Sequence, residues 1–388
     1  MTGGRGSPAS EGAAASVVDP MGTAGTAGAG NPGGTTGTTG TSAPATAPPL
    51  DVELAAALAA LGDRSRTRLT AENLAVQRAR DAASRPRPTA AELRADGRFA
   101  VEELHVPGAR GRPEVTLVHA RPADATGPLP VLFYLHGGGM VMGNAWSVLP
   151  RILRDWSGPL GLAVVSVEYR LAPQTPFPGP LEDCHAGLLW TVGRADALGI
   201  DAGRVVIGGK SAGGGLAAAL TLLNRDRGDG PAPIGQLLLC PMLDDRLDTP
   251  SAHQLAGVGP WDRSSAAVAW QAYLGDRYGN PDLPPHAAPA RATDLGGLPP
   301  TYLDVGSAET FRDETADYAH GIWRAGGDAE LHVWPGAFHG FDSVAPTAAL
   351  SLGARTARTR WLSRVLGRAT LRPCTAGTRS ATPPRRSG

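Results

Sequence analysis

The residues best placed to do chemistry lie in Gly209-Lys210-Ser211-Ala212-Gly213, a G-x-S-x-G pattern. A serine hydroxyl is a weak nucleophile until it is exposed and a base can take its proton. Before the pattern, Arg204-Val205-Val206-Ile207-Gly208 reads as a short buried strand; after it, Gly214 to Asn224 has the apolar spacing of a helix. A sharp strand-to-helix turn would lift the Ser211 hydroxyl clear of the sheet, with glycines at both ends letting the turn close. The pentapeptide alone is weak evidence, because Gly and Ser crowd together in ordinary turns. Its partners elsewhere in the chain carry the weight.

The first partner is His136-Gly137-Gly138-Gly139, directly after the apolar run Val131-Leu132-Phe133-Tyr134-Leu135. Such a run ending at a glycine cluster reads as a buried parallel strand emptying into a loop. Acyl transfer needs backbone N–H donors aimed at an oxyanion, and glycines present them with no side chain in the way. The N–H groups of Gly138, Gly139 and Ala212 are assigned to that oxyanion hole, and His136 to holding the loop by hydrogen bonds. A flexible connector would explain a bare glycine triplet; beside a G-x-S-x-G site it explains less.

The second partner is His339, in a loop that follows Leu331-His332-Val333-Trp334 and Pro335-Gly336. Of nine histidines it alone lies downstream of Ser211 at a strand end, the position from which a loop can deliver a general base. His105, His119 and His332 fall in strand-like runs, and His185 falls in an amphipathic helix. The acid that orients the imidazole should follow the strand Pro300–Gly306, where Asp304, Glu309, Asp313 and Glu314 compete. Asp304 is inside the strand. Asp313 and Glu314 open the next helix, where the helix dipole favours carboxylates whatever the chemistry. Glu309 sits in the loop itself and is the residue chosen.

These signatures together resemble the hormone-sensitive-lipase family of α/β-hydrolases, the bacterial esterase branch. The matching stretches are HGGG at 136–139, EYRLAPQTPFPGPLED at 168–183, GKSAGGG at 209–215, FRDE at 311–314 and PGAFHGF at 335–341. The likeness runs from about Asp51 to about Leu366. It departs from the family at Lys210, where most relatives carry an acid, and at Glu309, where many carry Asp. The resemblance implies a serine carboxylesterase with Ser211 as nucleophile, His339 as base and Glu309 as the orienting acid. It implies a small ester with a short acyl chain as substrate, and a cap over the nucleophile that shapes the pocket. Such chemistry requires no metal or organic cofactor.

The elements that must position these residues fit one sheet. Phe99–Val106 and Glu114–His119 read as an antiparallel hairpin. Leu132–Leu135, Ala163–Val167, Val205–Gly208, Gln236–Leu239, Thr301–Val305 and Glu330–Trp334 are short apolar runs with helical segments between them. That is the βαβ rhythm of a doubly wound, mostly parallel eight-stranded α/β sheet with helices on both faces. Glu168-Tyr169-Arg170-Leu171-Ala172-Pro173 reads as a supporting loop. Residues 51–98 and 251–282 are expected to form the helical cap on a catalytic domain spanning 99–369. Asp51 to Ser84 has helical apolar spacing, and Thr89-Ala90-Ala91-Glu92 reads as a capping box. Trp261, Trp270, Tyr273 and Tyr278 cluster in the second segment, as a pocket wall or as a small core of their own.

Composition excludes several classes. Lys and Arg total 36 against 36 Asp and Glu, with no basic face, so nucleic acid and anionic membrane are poor partners. No apolar run approaches the roughly 20 residues that span a bilayer, and no signal-peptide pattern opens the chain. Cys184, Cys240 and Cys374 lack tight spacing, which favours free thiols and a cytoplasmic location. Residues 1–50, rich in Gly, Thr, Ala, Ser and Pro, and 370–388 are expected to be disordered tails. Lys210 is the single lysine, and the spacing favours a structural role for it. A homodimer is left open. Two other readings compete: a non-hydrolytic binding protein of the same fold, against which His339 argues, and a phosphate loop at Gly209-Lys210-Ser211. The latter needs Gly five residues before Gly209, and Arg204 stands there.

Overall fold

Strand-forming runs of Val, Ile, Leu and aromatic residues build one eight-stranded sheet in the computed structural model, which describes residues 46–62, 68–109 and 111–370. The strands are β1 (Phe99–Val106), β2 (Val115–Pro122), β3 (Leu129–Leu135), β4 (Ala163–Glu168), β5 (Ile200–Lys210), β6 (Gly235–Leu239), β7 (Thr301–Gly306) and β8 (Ala329–Trp334). Their order is β1-β2-β4-β3-β5-β6-β7-β8. β2 runs antiparallel to both β1 and β4, and every other pairing is parallel. All eight strands read from the sequence are present. The central ones are buried on both faces, whereas β1, at the edge, alternates with exposed residues.

Helices flank the sheet: α1 (Val52–Ala60), α2 (Leu74–Ser84) and α3 (Ala90–Arg94), then α4 (Gly179–Gly193) and α5 (Ala212–Arg227). α6 (Pro250–Gln254) and α7 (Arg263–Leu274) follow β6; α8 (Arg312–Arg324) follows β7; and α9 (Ala349–Thr370) closes the described chain. The period-2 alternation of strand side chains splits the core in two. Phe133, Leu135, Val165 and Ile207 pack with Leu188 of α4 and Leu216 and Leu220 of α5. Leu132, Tyr134, Val164 and Val206 point the other way, onto Trp361, Leu362 and Val365 of α9.

The N-terminal stretch differs from the continuous helical spacing expected over Asp51–Ser84. α1 stops before Gly62, whose φ of +56° ends the helix, and Leu69 is buried in a non-helical stretch. Thr70 and Asn73 then exchange side-chain-to-backbone hydrogen bonds that shape the turn into α2. The Thr89–Glu92 capping box is formed as read, and Leu93 of α3 packs with Phe99, Val118 and Leu132 on the sheet. Cys184 and Cys240 are free thiols; Cys374 lies outside the described residues, as do 1–45 and 371–388 of the two expected tails. Among the described residues, no helix is long and apolar enough to cross a membrane.

Candidate active site

Ser211 stands between the last residue of β5 and the first of α5, with φ +58° and ψ −124°. That backbone conformation costs a non-glycine residue about 1–3 kcal/mol and persists only where its surroundings enforce it. Here the Ser211 N–H donates to the Leu239 carbonyl at 2.8 Å, and its own carbonyl accepts from Met242 at 3.1 Å. The end of β6 and the segment just after it thus hold the elbow through both of its backbone polar groups. The turn is too tight for side chains: a Cβ on Gly209 would run into the Gly213 carbonyl.

His339 lies in the loop after β8, with Nε2 2.9 Å from Ser211 Oγ. Its Nδ1 is 2.5 Å from Glu309 Oε1, and the ring meets Phe311 edge-on at 5.2 Å. Glu309 is 2% exposed, and its second oxygen accepts the Gly306 N–H at 3.0 Å, so the carboxylate is fixed in plane and in reach. Burial disfavours a charged imidazole at His339, but the neighbouring Cys240 sulfur and Glu309 carboxylate outweigh it and hold its pKa above the ordinary histidine range.

The other three carboxylates have different partners. Asp304 accepts from Arg358 Nε at 2.6 Å. Asp313 accepts the Ser251 N–H at 2.7 Å and so ties α6 to α8. Glu314 is buried and accepts the N–H groups of Leu243 and Asp244. Of the four, only Glu309 reaches the imidazole.

Gly138 and Gly139, at φ +126° and +63°, bring their loop beside the elbow, where a Cβ on Gly137 would meet Ser211 Cβ at 3.3 Å. Among the described residues, no protein acceptor takes the N–H of Gly138, Gly139 or Ala212. Ala212 opens α5, where the first N–H groups have no carbonyl one turn back. His136 is buried, donates from Nδ1 to the Gly137 carbonyl at 2.9 Å and stacks on Tyr169 at 4.1 Å. Burial lowers its pKa to about 4, so it stays neutral near pH 7. Tyr169 donates its hydroxyl to the His136 carbonyl at 2.7 Å, and the Ala172 N–H bonds the Met140 carbonyl at 3.0 Å. The 168–173 segment supports the glycine loop, as its sequence suggested.

Residues 257–261 close over this centre. A Cβ on Gly139 would strike the Trp261 indole, and one on Gly259 would stand 3.7 Å from Phe338 Cβ, next to His339. Arg68 bonds the Gly259 carbonyl at 2.9 Å and Asp262 at 3.1 Å, clasping the segment from the N-terminal side. Trp270 and Tyr273, fully buried, belong to the main core, so Trp261 is the aromatic of this segment that meets the glycine loop.

Comparison with known proteins agrees with this architecture. The profile of a family described by the α/β-hydrolase fold matches residues 132–343, more than half of the chain. The chain belongs to the α/β-hydrolases. Carboxylesterase NlhH of Mycobacterium tuberculosis is 37% identical to it over 230 residues, 58% of this chain and 71% of the relative. An acetyl-hydrolase of Streptomyces hygroscopicus is 32% identical over 229 residues, covering 56% and 70%. A solved structure titled bacterial heroin esterase superposes with a TM-score of 0.75 at 43% identity, over 82% of this chain and 98% of that one. The hydrolase thus sits in the hormone-sensitive-lipase-like branch, among esterases, as its signatures implied.

One part of this hydrolase's site was not visible in the sequence. Lys210 Nζ donates to Asp342 Oδ1 at 2.6 Å and to Ser343 Oγ at 2.8 Å. Asp342 also meets Arg151 at 2.5 Å and Arg358, which reaches on to Asp304. Burial opposes the charge on Asp342, but Lys210, Arg358 and Arg151 together hold its pKa well below the usual carboxylate range. The family departure at position 210 is therefore matched by a partner three residues beyond His339. The signal that could have found it is the isolated HGFD sequence at 339–342, with an acid directly behind the histidine loop.

Proposed function

We propose that this hydrolase is a serine carboxylesterase for small esters with short acyl chains, working through an acyl-enzyme. His339 Nε2 takes the Ser211 proton as Oγ attacks the ester carbonyl. The oxyanion is stabilised by the N–H groups of Gly138, Gly139 and Ala212. Glu309 keeps the Nδ1 proton in place and stabilises the imidazolium. The tetrahedral intermediate collapses, His339 passes its proton to the departing alcohol, and the acyl group remains on Ser211. Water then enters, loses a proton to His339 and releases the acid by the same steps.

The observation that carries this reading is the continuous relay Ser211–His339–Glu309, with contacts of 2.9 and 2.5 Å. The short-acyl preference is supported by the Trp261 indole against Gly139 and by the acetyl-hydrolase among the relatives. The test is turnover of soluble nitrophenyl esters of graded length. Ser211→Ala should lose roughly 10³-fold or more and resist organophosphate labelling while keeping its circular dichroism. Activity should fall steeply beyond roughly eight acyl carbons as the pocket fills. Labelling that persists in Ser211→Ala would overturn the nucleophile, and faster turnover of emulsified long-chain triglyceride would overturn the substrate class. A wild-type protein that binds esters without turning them over would favour the non-hydrolytic alternative.

A further inference from the structure

Cys240 carries no bond-making step of the proposed ester hydrolysis, yet it stands against the relay. It follows β6, is 5% exposed and has φ +38°, a conformation secured by its N–H bond to the Asp304 carbonyl at 2.7 Å. Its Sγ, a carboxylate oxygen of Glu309 and a ring nitrogen of His339 all lie within 4.8 Å of one another. A thiolate at about 2.3 Å and N or O ligands at about 2.0–2.1 Å from a tetrahedral Zn²⁺ are about 3.3–3.6 Å apart, so the 2.5 Å Nδ1–Oε1 contact must open by about 1 Å to admit the ion.

We infer that Cys240, Glu309 and His339 form an inhibitory site for a thiophilic divalent cation such as Zn²⁺ or Cd²⁺. Charge favours a divalent ion: thiolate and carboxylate supply two negative charges and the imidazole none, so the filled site is neutral in a buried setting. Ligand type favours a soft or borderline ion, because thiolate and imidazole select against Mg²⁺ and Ca²⁺. Binding releases one proton from the Cys240 thiol, and a second from the ring where His339 starts as imidazolium, and forms metal–sulfur, metal–nitrogen and metal–oxygen bonds. The nitrogen facing Glu309 is Nδ1, at 2.5 Å. A cation there takes the Nδ1 lone pair, and the ring proton moves to Nε2. His339 can then no longer accept the Ser211 proton, and turnover stops. The inhibition half of this inference rests on the proposed role of His339, while the binding half does not.

The experiment titrates the full-length protein with Cd²⁺, following the ultraviolet thiolate-to-cadmium band and turnover of a soluble butyrate ester. The band should saturate at one equivalent while turnover falls in step, with chelator reversing both and Mg²⁺ causing neither. Cys240→Ala, which keeps Cys184 and Cys374, should lose the band, and Cd²⁺ should no longer lower the turnover that variant shows without metal. Cys240→Ser serves if the alanine variant fails to fold. His339→Gln should bind Cd²⁺ about tenfold or more weakly. Inhibition of Cys240→Ala at the same Cd²⁺ concentration, or wild-type Cd²⁺ affinity in His339→Gln, would overturn the site. If wild-type protein shows the band but hydrolyses no ester, the binding site stands and the esterase reading fails.

Discussion

Glu309 and Asp342 are both buried acids next to the His339 loop, and their surroundings could hardly differ more. Glu309 hydrogen-bonds one imidazole and one backbone N–H, with the Cys240 sulfur within 4.8 Å. Asp342 faces three basic side chains, Lys210, Arg151 and Arg358. The first environment leaves the proton on its neighbour free to move. The second ties the elbow, the histidine loop and α9 together. The proposed roles follow from that difference: Glu309 is placed to orient an imidazole, and Asp342 to join three basic side chains.

That contrast can be broken by substitution. The largest effect should come from Glu309→Gln, which removes the charge behind the imidazole and fails to hold its tautomer. Turnover should drop by about 10⁴-fold, the loss an amide swap causes in a related triad, with thermal stability little changed. Near-normal turnover there, beside a collapse in well-folded Asp313→Asn, would move the acid to Asp313. Asp342→Asn should do the reverse, costing about 3–5 kcal/mol in denaturant unfolding because it leaves cations buried without their partner. Its folded fraction should keep most of its turnover.

pH separates the two acids further. Because the His339 pKa is raised, the rising limb of kcat/KM should have its midpoint above the ordinary histidine value of about 6.5, where the neutral base begins to form. Glu309→Gln should move that midpoint down. Asp342 has a depressed pKa, so its stabilisation is complete above its unfolded value of about 3.9 and is lost as pH falls through its folded value. Unfolding free energy of wild type minus Asp342→Asn should therefore be flat from pH 5 to 8 while activity climbs. The smallest effect is Lys210→Met, which removes one of three cations and should cost about 1.5–3 kcal/mol of stability, read by the same unfolding curves.

The Ser211–His339–Glu309 contacts were legible because each residue sits just after a strand, where chain order and residue type coincide. Ser211 follows β5, Glu309 follows β7 and His339 follows β8. The loop position that selected Glu309 over Asp304, Asp313 and Glu314 corresponds to the only carboxylate of the four in contact with the imidazole. What escaped depends on pairing across long sequence separations. Nothing local to Lys210 announces Asp342, 132 residues away. Likewise, aromatic content could not distinguish Trp261, against the glycine loop, from Trp270, in the core, since only packing does so. Apolar spacing between Asp51 and Ser84 looked helical throughout, but a glycine and the Thr70–Asn73 turn interrupt it.

Because Lys210 is the chain's single lysine, a protease that cuts only after lysine has one peptide bond to attack, Lys210–Ser211, at the nucleophile itself. In the folded state that bond lies within the β5–α5 turn, with Lys210 held by Asp342 and the Ser211 N–H by Leu239. Cleavage must wait for the elbow to open, locally or with the whole fold, so where reclosing outpaces cutting its rate reports the free energy of the opening that exposes this bond. Digestion into two fragments, 1–210 and 211–388, therefore makes the hydrolase its own reporter of active-site integrity. No label or substrate is required.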